Sequence, residues 1–239
     1  MSVSAIQNPH PQSINRILAA LPAEEYGRLA PHLKLVTMPR GEVLYNTRKP
    51  IEHVYFPLDS MISVVATTRD GSAVEVGVIG REGMSGLSVL MGVSESYADM
   101  MVQLPDSALR LEAETLLAEF ERGGVLQKVL LRYTHAMLVM VSQTVACNRL
   151  HHISERLARW LLMCRDRAPS DELPLTHEFM AMMLGIRRAG VTETALTLQA
   201  DGFIRYTRGR ITIADRQGLE GYACECYSIV KDEIDKLYD

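Results

Sequence analysis

The sequence predicts an α+β chain in three successive parts: an antiparallel β-roll, one long helix, and a small helical unit closed by a hairpin. Three observations carry this. The hydrophobic period changes from helical to alternating near residue 33 and back near 112, a seven-residue apolar repeat runs through 126–151, and an arginine-rich helix pair precedes two short strands at 176–213.

The 239 residues are 47% hydrophobic and 23% charged, an ordinary globular balance, with a formal charge of -4. The start, "MSVSAIQNPHPQSINRI", lacks the basic residues and apolar run of a signal peptide, and "AMLVMV" is far too short to span a bilayer. A cytoplasmic chain without membrane contact is the expectation. Cys147, Cys164, Cys224 and Cys226 match neither a disulfide framework nor C-x₂-C zinc spacing. They are read as reduced packing thiols, and no metal or cofactor is expected. Charge is uneven along the chain. Residues 148–216 hold eleven arginines, no lysine and eight acids, whereas 217–239 hold two lysines and six acids.

Within the first 33 residues, "SINRILAALP" has apolar residues at 14, 17, 18 and 21, a helical spacing. From 33 to about 111, "LKLVTMPRGEVLY", "IEHVYFPLDSMISVVATT", "AVEVGVIG" and "YADMMVQLPDSALRLE" are β-type runs separated by "PRGE", "RDGS", "GREG" and "LPDS". "RDGS" at 69–72 is the strongest hairpin signal. Short strands at this spacing predict an antiparallel barrel or roll.

Helix returns at about 112. Leu126, Leu130, Tyr133, Met137, Met140, Thr144, Cys147 and His151 follow alternating steps of four and three with no Gly or Pro between them. Such a stripe suits an amphipathic helix lying on its own roll, or a two-stranded seam; the strict 3.5-residue register favours the seam. The first seven are the candidate dimer interface. Val129, Val139 and Val141 widen the apolar face enough for both contacts.

After "SERLARWLLMC" and the polar loop "RDRAPSDELP", Thr176 is a plausible N-cap for "HEFMAMML", and Gly185 ends that helix. A second helix runs from near Arg187 to about Gln199. Ala181 at the crossing, Gly185 in the turn and Val191 on the second helix form the helix-turn-helix pattern, with Thr194 where a larger aliphatic is usual. The hairpin "GFIRYTRGRITI" makes the unit winged. A recognition helix enters the major groove N-terminus first, so Arg187 and Arg188 are candidate DNA contacts, with Arg188 suited to guanine O6 and N7. Thr192 and Glu193 lie one turn on, Thr176 and His177 head the first helix, and Arg205, Arg208 and Arg210 sit on or beside the wing.

"VTMPRGEVLY", "NRLHHISERLARWLL" and the order roll, long helix, winged helix-turn-helix resemble the Crp/Fnr family of bacterial transcription regulators over nearly the whole chain. The resemblance implies a ligand-sensing roll of the cupin-like jelly-roll form (1–118), a dimerisation helix (119–150), a DNA-binding domain (151–216) and a C-terminal helix (217–239). It implies a homodimer reading a palindromic operator, with RNA polymerase as a further partner if the protein is an activator. Arg188 falls on a base-reading arginine position of that family, while Ala189 and Glu193 replace its polar and basic partners. Cyclic-nucleotide binders of the family carry a Gly-Glu pair and then Arg-Ser or Arg-Thr. With Gly86 on that glycine, Leu87 takes the place of the ribose-binding acid, and Tyr97 and Ala98 that of the phosphate-binding pair. A buried phosphate without arginine is strongly disfavoured, so cAMP is not the expected effector, and another effector is left open. No cysteine precedes Cys147, against a cluster-type sensor, and His53, His135, His151 and His152 read as isolated. No nucleophile elbow, metal motif or nucleotide fingerprint marks an enzyme. The competing reading is an interaction module whose helix-turn-helix contacts protein.

Overall fold

The period change at residue 33 marks the entry into two facing sheets. The computed structural model describes residues 15–238, so the loose start and apolar position 14 lie outside the described residues. Two short helices, α1 (Arg16–Ala19) and α2 (Ala23–Leu29), lead into the roll. Its strands are β1 (Lys34–Met38), β2 (Val43–Tyr45), β3 (His53–Pro57), β4 (Met61–Thr67), β5 (Ala73–Ile79), β6 (Asp99–Leu104) and β7 (Asp106–Glu112). They pair antiparallel in the orders β1-β7-β3 and β2-β6-β4-β5. Pro105, which cannot donate to a ladder, stands where the chain passes from one sheet to the other. The "RDGS" turn joins β4 to β5, with Gly71 at φ 85° and the Thr68 N–H donating to Ser72 O at 2.8 Å. Alternating residues such as Val54, Phe56, Ile62 and Val64 fill the space between the sheets.

Helix α3 (Ala113–Glu121) is followed by α4 (Gly124–Leu150), the helix of the seven-residue repeat. The first turn of α4 is capped from a distance: the Glu25 carboxylate accepts the N–H groups of Val125 (3.0 Å) and Leu126 (2.8 Å), and the Val125 bond is the main cause of its lowered pKa.

The candidate dimer stripe is taken up inside the single chain. Leu126, Leu130, Tyr133, Met137, Met140, Thr144 and Cys147 are at most 7% exposed in the single chain. The first five belong to the core shared with the roll, whose glycines make room for them. A Cβ on Gly83 would lie 2.1 Å from the Tyr133 hydroxyl, which donates to Met84 O at 3.3 Å, and a Cβ on Gly77 would meet Met140 Sδ at 3.2 Å. Thr144 accepts from Arg159 Nη2 at 2.9 Å, and Cys147 packs against Cys224 and Cys226. A second stripe is left uncovered: Leu131, Leu138 and Val145, spaced by seven, are 54%, 63% and 64% exposed, with Thr134 and Val141 half-buried between them.

The C-terminal part comprises α5 (Ile153–Arg165), β8 (Glu172–Leu173), α6 (His177–Leu184), α7 (Arg188–Ala200), β9 (Ile204–Thr207), β10 (Arg210–Ile213), α8 (Arg216–Tyr222) and α9 (Cys226–Asp235). Two details depart from the sequence reading. The loop before α6 contributes strand β8 to the wing sheet, ordered β8-β10-β9. The expected single C-terminal helix is two, broken at Ala223–Glu225, where Ala223 is extended (ψ 151°).

This part is docked on the roll by polar groups buried on both sides. Arg167 donates through Nε to Glu82 Oε1 at 2.7 Å, with side-chain exposures of 5% and 7%. Trp160 Nε1–H donates to Glu75 Oε1 at 2.6 Å, and burial pushes the Glu75 carboxyl up to about 7. Gln103 Nε2 reaches Cys164 Sγ at 3.2 Å.

Candidate nucleic-acid interface

Local chemistry sets the two helices of the reading head. Thr176 Oγ1 accepts the Phe179 N–H (3.2 Å), which caps α6. Gly185 closes it in the left-handed region at φ 62°, where Gly185 N–H bonds Met182 O and Ile186 N–H bonds Ala181 O at 3.0 Å. That is a Schellman end, and it redirects the chain into α7 within three residues. Ala181, Val191, Thr194 and Ala195 are buried at the crossing, so Thr194 is accommodated in place of a larger aliphatic.

The N-terminus of α7 points outward with Arg187, Arg188 and Ala189 exposed, and Glu193 is exposed one turn on. Arg188 is tethered only loosely, 3.7 Å from Glu178 in a pair that is mostly solvated. Thr192 is committed elsewhere. Its hydroxyl donates to Arg188 O at 3.1 Å, so the 2.9 Å contact with His177 Nδ1 requires the imidazole to donate from that nitrogen. The His177 ring stacks on Tyr206 of β9 at 4.1 Å, and burial, then the Arg188 charge, lowers its pKa. His177, Thr192 and Tyr206 therefore brace helix against wing. Tyr206 was not among the sequence candidates; its only signal was an aromatic in the first wing strand.

On the wing, Arg205 and Arg208 are exposed, and among the described residues neither forms an ion pair. Arg208 takes φ 49° in the turn, next to Gly209 at φ 81°. Arg210 pairs with Glu172 of β8. The count of eleven arginines overstated the basic surface. Arg156, Arg159 and Arg167 are buried, and Arg165 and Arg216 pair with Asp171 and Asp166. Besides Arg149 in the last turn of α4, the exposed arginines left to meet an anion are Arg187, Arg188, Arg205 and Arg208, on one end of α7 and the wing.

A cavity of about 520 Å³ lies between the segment 87–97 and α4. Leu87, Met91, Val93, Met137, Leu138 and Val141 give it apolar walls, and Arg48 is its one cationic lining residue among the described residues. Leu87 is buried on a short 3₁₀ turn, Tyr97 lines the cavity and Ala98 is buried away from solvent.

An antiparallel roll, a long helix and a winged helix-turn-helix with an outward arginine pair define a β-roll joined through a long helix to a DNA-binding type of domain. The comparisons make this particular. Residues 155–222 match the Crp-like helix-turn-helix domain, so the chain carries that domain within the Crp/Fnr fold. A putative transcriptional regulator of the Crp/Fnr family from Eubacterium rectale superposes with a TM-score of 0.67 at 18% identity, over 84% of this chain and 94% of that one. FixK2 from Bradyrhizobium japonicum gives 0.67 at 16% identity, over 80% and 98%. A putative cAMP-binding regulatory protein from Silicibacter pomeroyi gives 0.62 at 19%, over 89% and 98%. No curated protein matches the chain significantly in sequence. No helix among the described residues is long and apolar enough to cross a membrane.

Proposed function

We propose that this protein is a sequence-specific transcription regulator that binds a palindromic operator as a cytoplasmic homodimer, without enzymatic activity. The observation that carries the reading is the exposed N-terminus of α7, where Arg187 and Arg188 stand beside the wing arginines Arg205 and Arg208. Residues 1–118 sense, 119–150 pair the two copies, 151–216 read DNA, and 217–239 close the domain. Arg188 reads a base, Arg187 and the wing arginines hold phosphates, and Thr176, His177 and Thr192 keep the helix at its angle to the wing. Arg210 joins the phosphate contacts once released from Glu172. Glu193 is placed to accept from cytosine N4. An activator of this design meets RNA polymerase as well.

The two-fold seam is the uncovered stripe of α4, Leu131, Leu138 and Val145 with Thr134 and Val141, a true 3.5-residue repeat one face away from the buried one. The effector site is the apolar cavity beside that seam, and its walls suit an apolar molecule better than a nucleotide. Titration with cAMP is expected to leave operator affinity and calorimetric heat unchanged; saturable binding at micromolar concentration overturns that part.

Selection of genomic fragments by the purified protein, followed by gel shifts of the winners at two salt concentrations, tests the whole. Recovery of one palindromic site, with affinity falling steeply as salt rises, supports it. Binding that ignores salt, or no enrichment with or without a metabolite extract, transfers the helix-turn-helix to a protein partner. Arg188→Ala is expected to cost about 1–3 kcal/mol on the selected site and to relax preference at one base pair. Equal losses on selected and random DNA make it a backbone contact only.

A further inference from the structure

Three cysteines and a histidine far apart in sequence come together where α4 ends. Cys147 lies in the last turn of α4 and His151 is the residue that ends it, and Cys224 and Cys226 lie at the break between α8 and α9. Cys147 Sγ lies 3.5 Å from Cys224 Sγ, and Cys226 Sγ lies 3.6 Å from His151 Nδ1. All four donor atoms fall within 4.8 Å of one another. A tetrahedral zinc with bonds of about 2.3 Å to sulfur and about 2.0 Å to nitrogen requires donor–donor edges of roughly 3.5–3.8 Å. The Cys147–Cys224 and Cys226–His151 contacts are already close to that length.

The surroundings fit a metal better than packing. The three cysteines form a cluster of their own, separate from the main hydrophobic core, so their burial does not serve that core. His151 turns Nδ1 inward and Nε2 outward, 3.4 Å from Glu225 Oε2, the carboxylate–imidazole arrangement that orients a metal-binding histidine. Arg156 and Arg159, 8% and 5% exposed, stand close enough for their charges to act on the thiols, and each keeps a buried Nε with no partner. Among the described residues neither forms an ion pair with a carboxylate. Two buried cations of this kind need an anion, and a zinc held by three thiolates, with net charge -1, is one.

We propose that Cys147, His151, Cys224 and Cys226 form a structural zinc site that ties the end of the long helix to the C-terminal helices. The expectation of packing thiols is thereby revised for three of the four cysteines. Binding releases one proton from each thiol and changes no oxidation state. Because α4 ends at Leu150 and α5 begins at Ile153, the metal sits on the joint between the roll with its helix and the DNA-binding part. The inference rests on this cluster alone and stands or falls independently of DNA binding.

The test is metal analysis of the full chain purified under reducing conditions, with and without zinc in the medium, followed by cobalt substitution. One zinc per chain is expected, and cobalt should give intense thiolate charge-transfer absorption with the d–d bands of a tetrahedral centre. Glu225→Gln should keep the metal but weaken it about tenfold. Cys164→Ser, which removes the cysteine outside the cluster, should leave the stoichiometry at one. Cys224→Ser and His151→Ala should each lose zinc on dialysis; if either fails to fold by circular dichroism, the cobalt spectrum of the wild type decides. Folded wild-type protein that takes up no stoichiometric zinc overturns the proposal. So does an octahedral cobalt spectrum, or a Cys147–Cys224 disulfide recovered from the reduced preparation.

Discussion

Replacing Leu131 and Val145 with glutamate is expected to give a folded monomer that has lost its operator. Both side chains are more than half exposed in the single chain, so the substitution removes little from its own core. In a two-fold seam the same change places four carboxylates in an apolar contact, which costs several kcal/mol once they lose water without partners. Each 1.4 kcal/mol is a factor of ten, so half-site reading without the partner should weaken operator binding by about two orders of magnitude or more. Light scattering and gel shifts read the two effects separately. Met137→Glu makes the contrast: it buries a charge between α4 and the roll, and should lower the melting temperature sharply before it touches the oligomeric state. A Leu131→Glu/Val145→Glu protein that remains a dimer places the seam on another surface.

The second large effect is expected from Glu82→Ala. It leaves Arg167 buried, with only the Met163 carbonyl, 2.8 Å from Nη1, to hold it. It also removes the acceptor of the Gly80 N–H. Breaking one side of a buried ion pair typically costs about 3–5 kcal/mol, because the remaining charge is desolvated without compensation. Urea unfolding should show that loss, and Glu82→Ala combined with Arg167→Met should recover much of it. If the single variant loses less than about 1 kcal/mol, water reaches Arg167 and the two parts of the chain are less firmly joined than their contacts imply.

Strands, hairpin and reading head were legible because their signals are local. The Asp-Gly turn at 70–71, the Thr176 cap and the Gly185 stop each act within a few residues, and each is where the pattern put it. The long helix was legible as a helix but not as a surface. It carries two interleaved stripes, and the one with larger side chains, Tyr133, Met137 and Met140, is drawn into the roll. What decides this is the glycine spaces at 77 and 83, which a reading of α4 alone does not contain. The cysteine cluster was hidden for the same reason. Cys147 and Cys224 are 77 residues apart, and only the break in the C-terminal helix turns Cys224 and Cys226 toward His151. The arginine count misled because three of the eleven are structural. Composition weighs side chains equally, whereas burial decides which of them a polyanion can reach.

The bond from Trp160 to Glu75 has a practical side. The chain has a single tryptophan, and it lies where α5 of the DNA-binding part meets β5 of the roll. Its indole is 3% exposed and hydrogen-bonded to a carboxyl group across that junction. Any effector, metal or operator that slides the two parts against each other must therefore change the surroundings of one chromophore. The wavelength and intensity of its emission are a built-in gauge of that movement, readable in the unmodified protein and without a label.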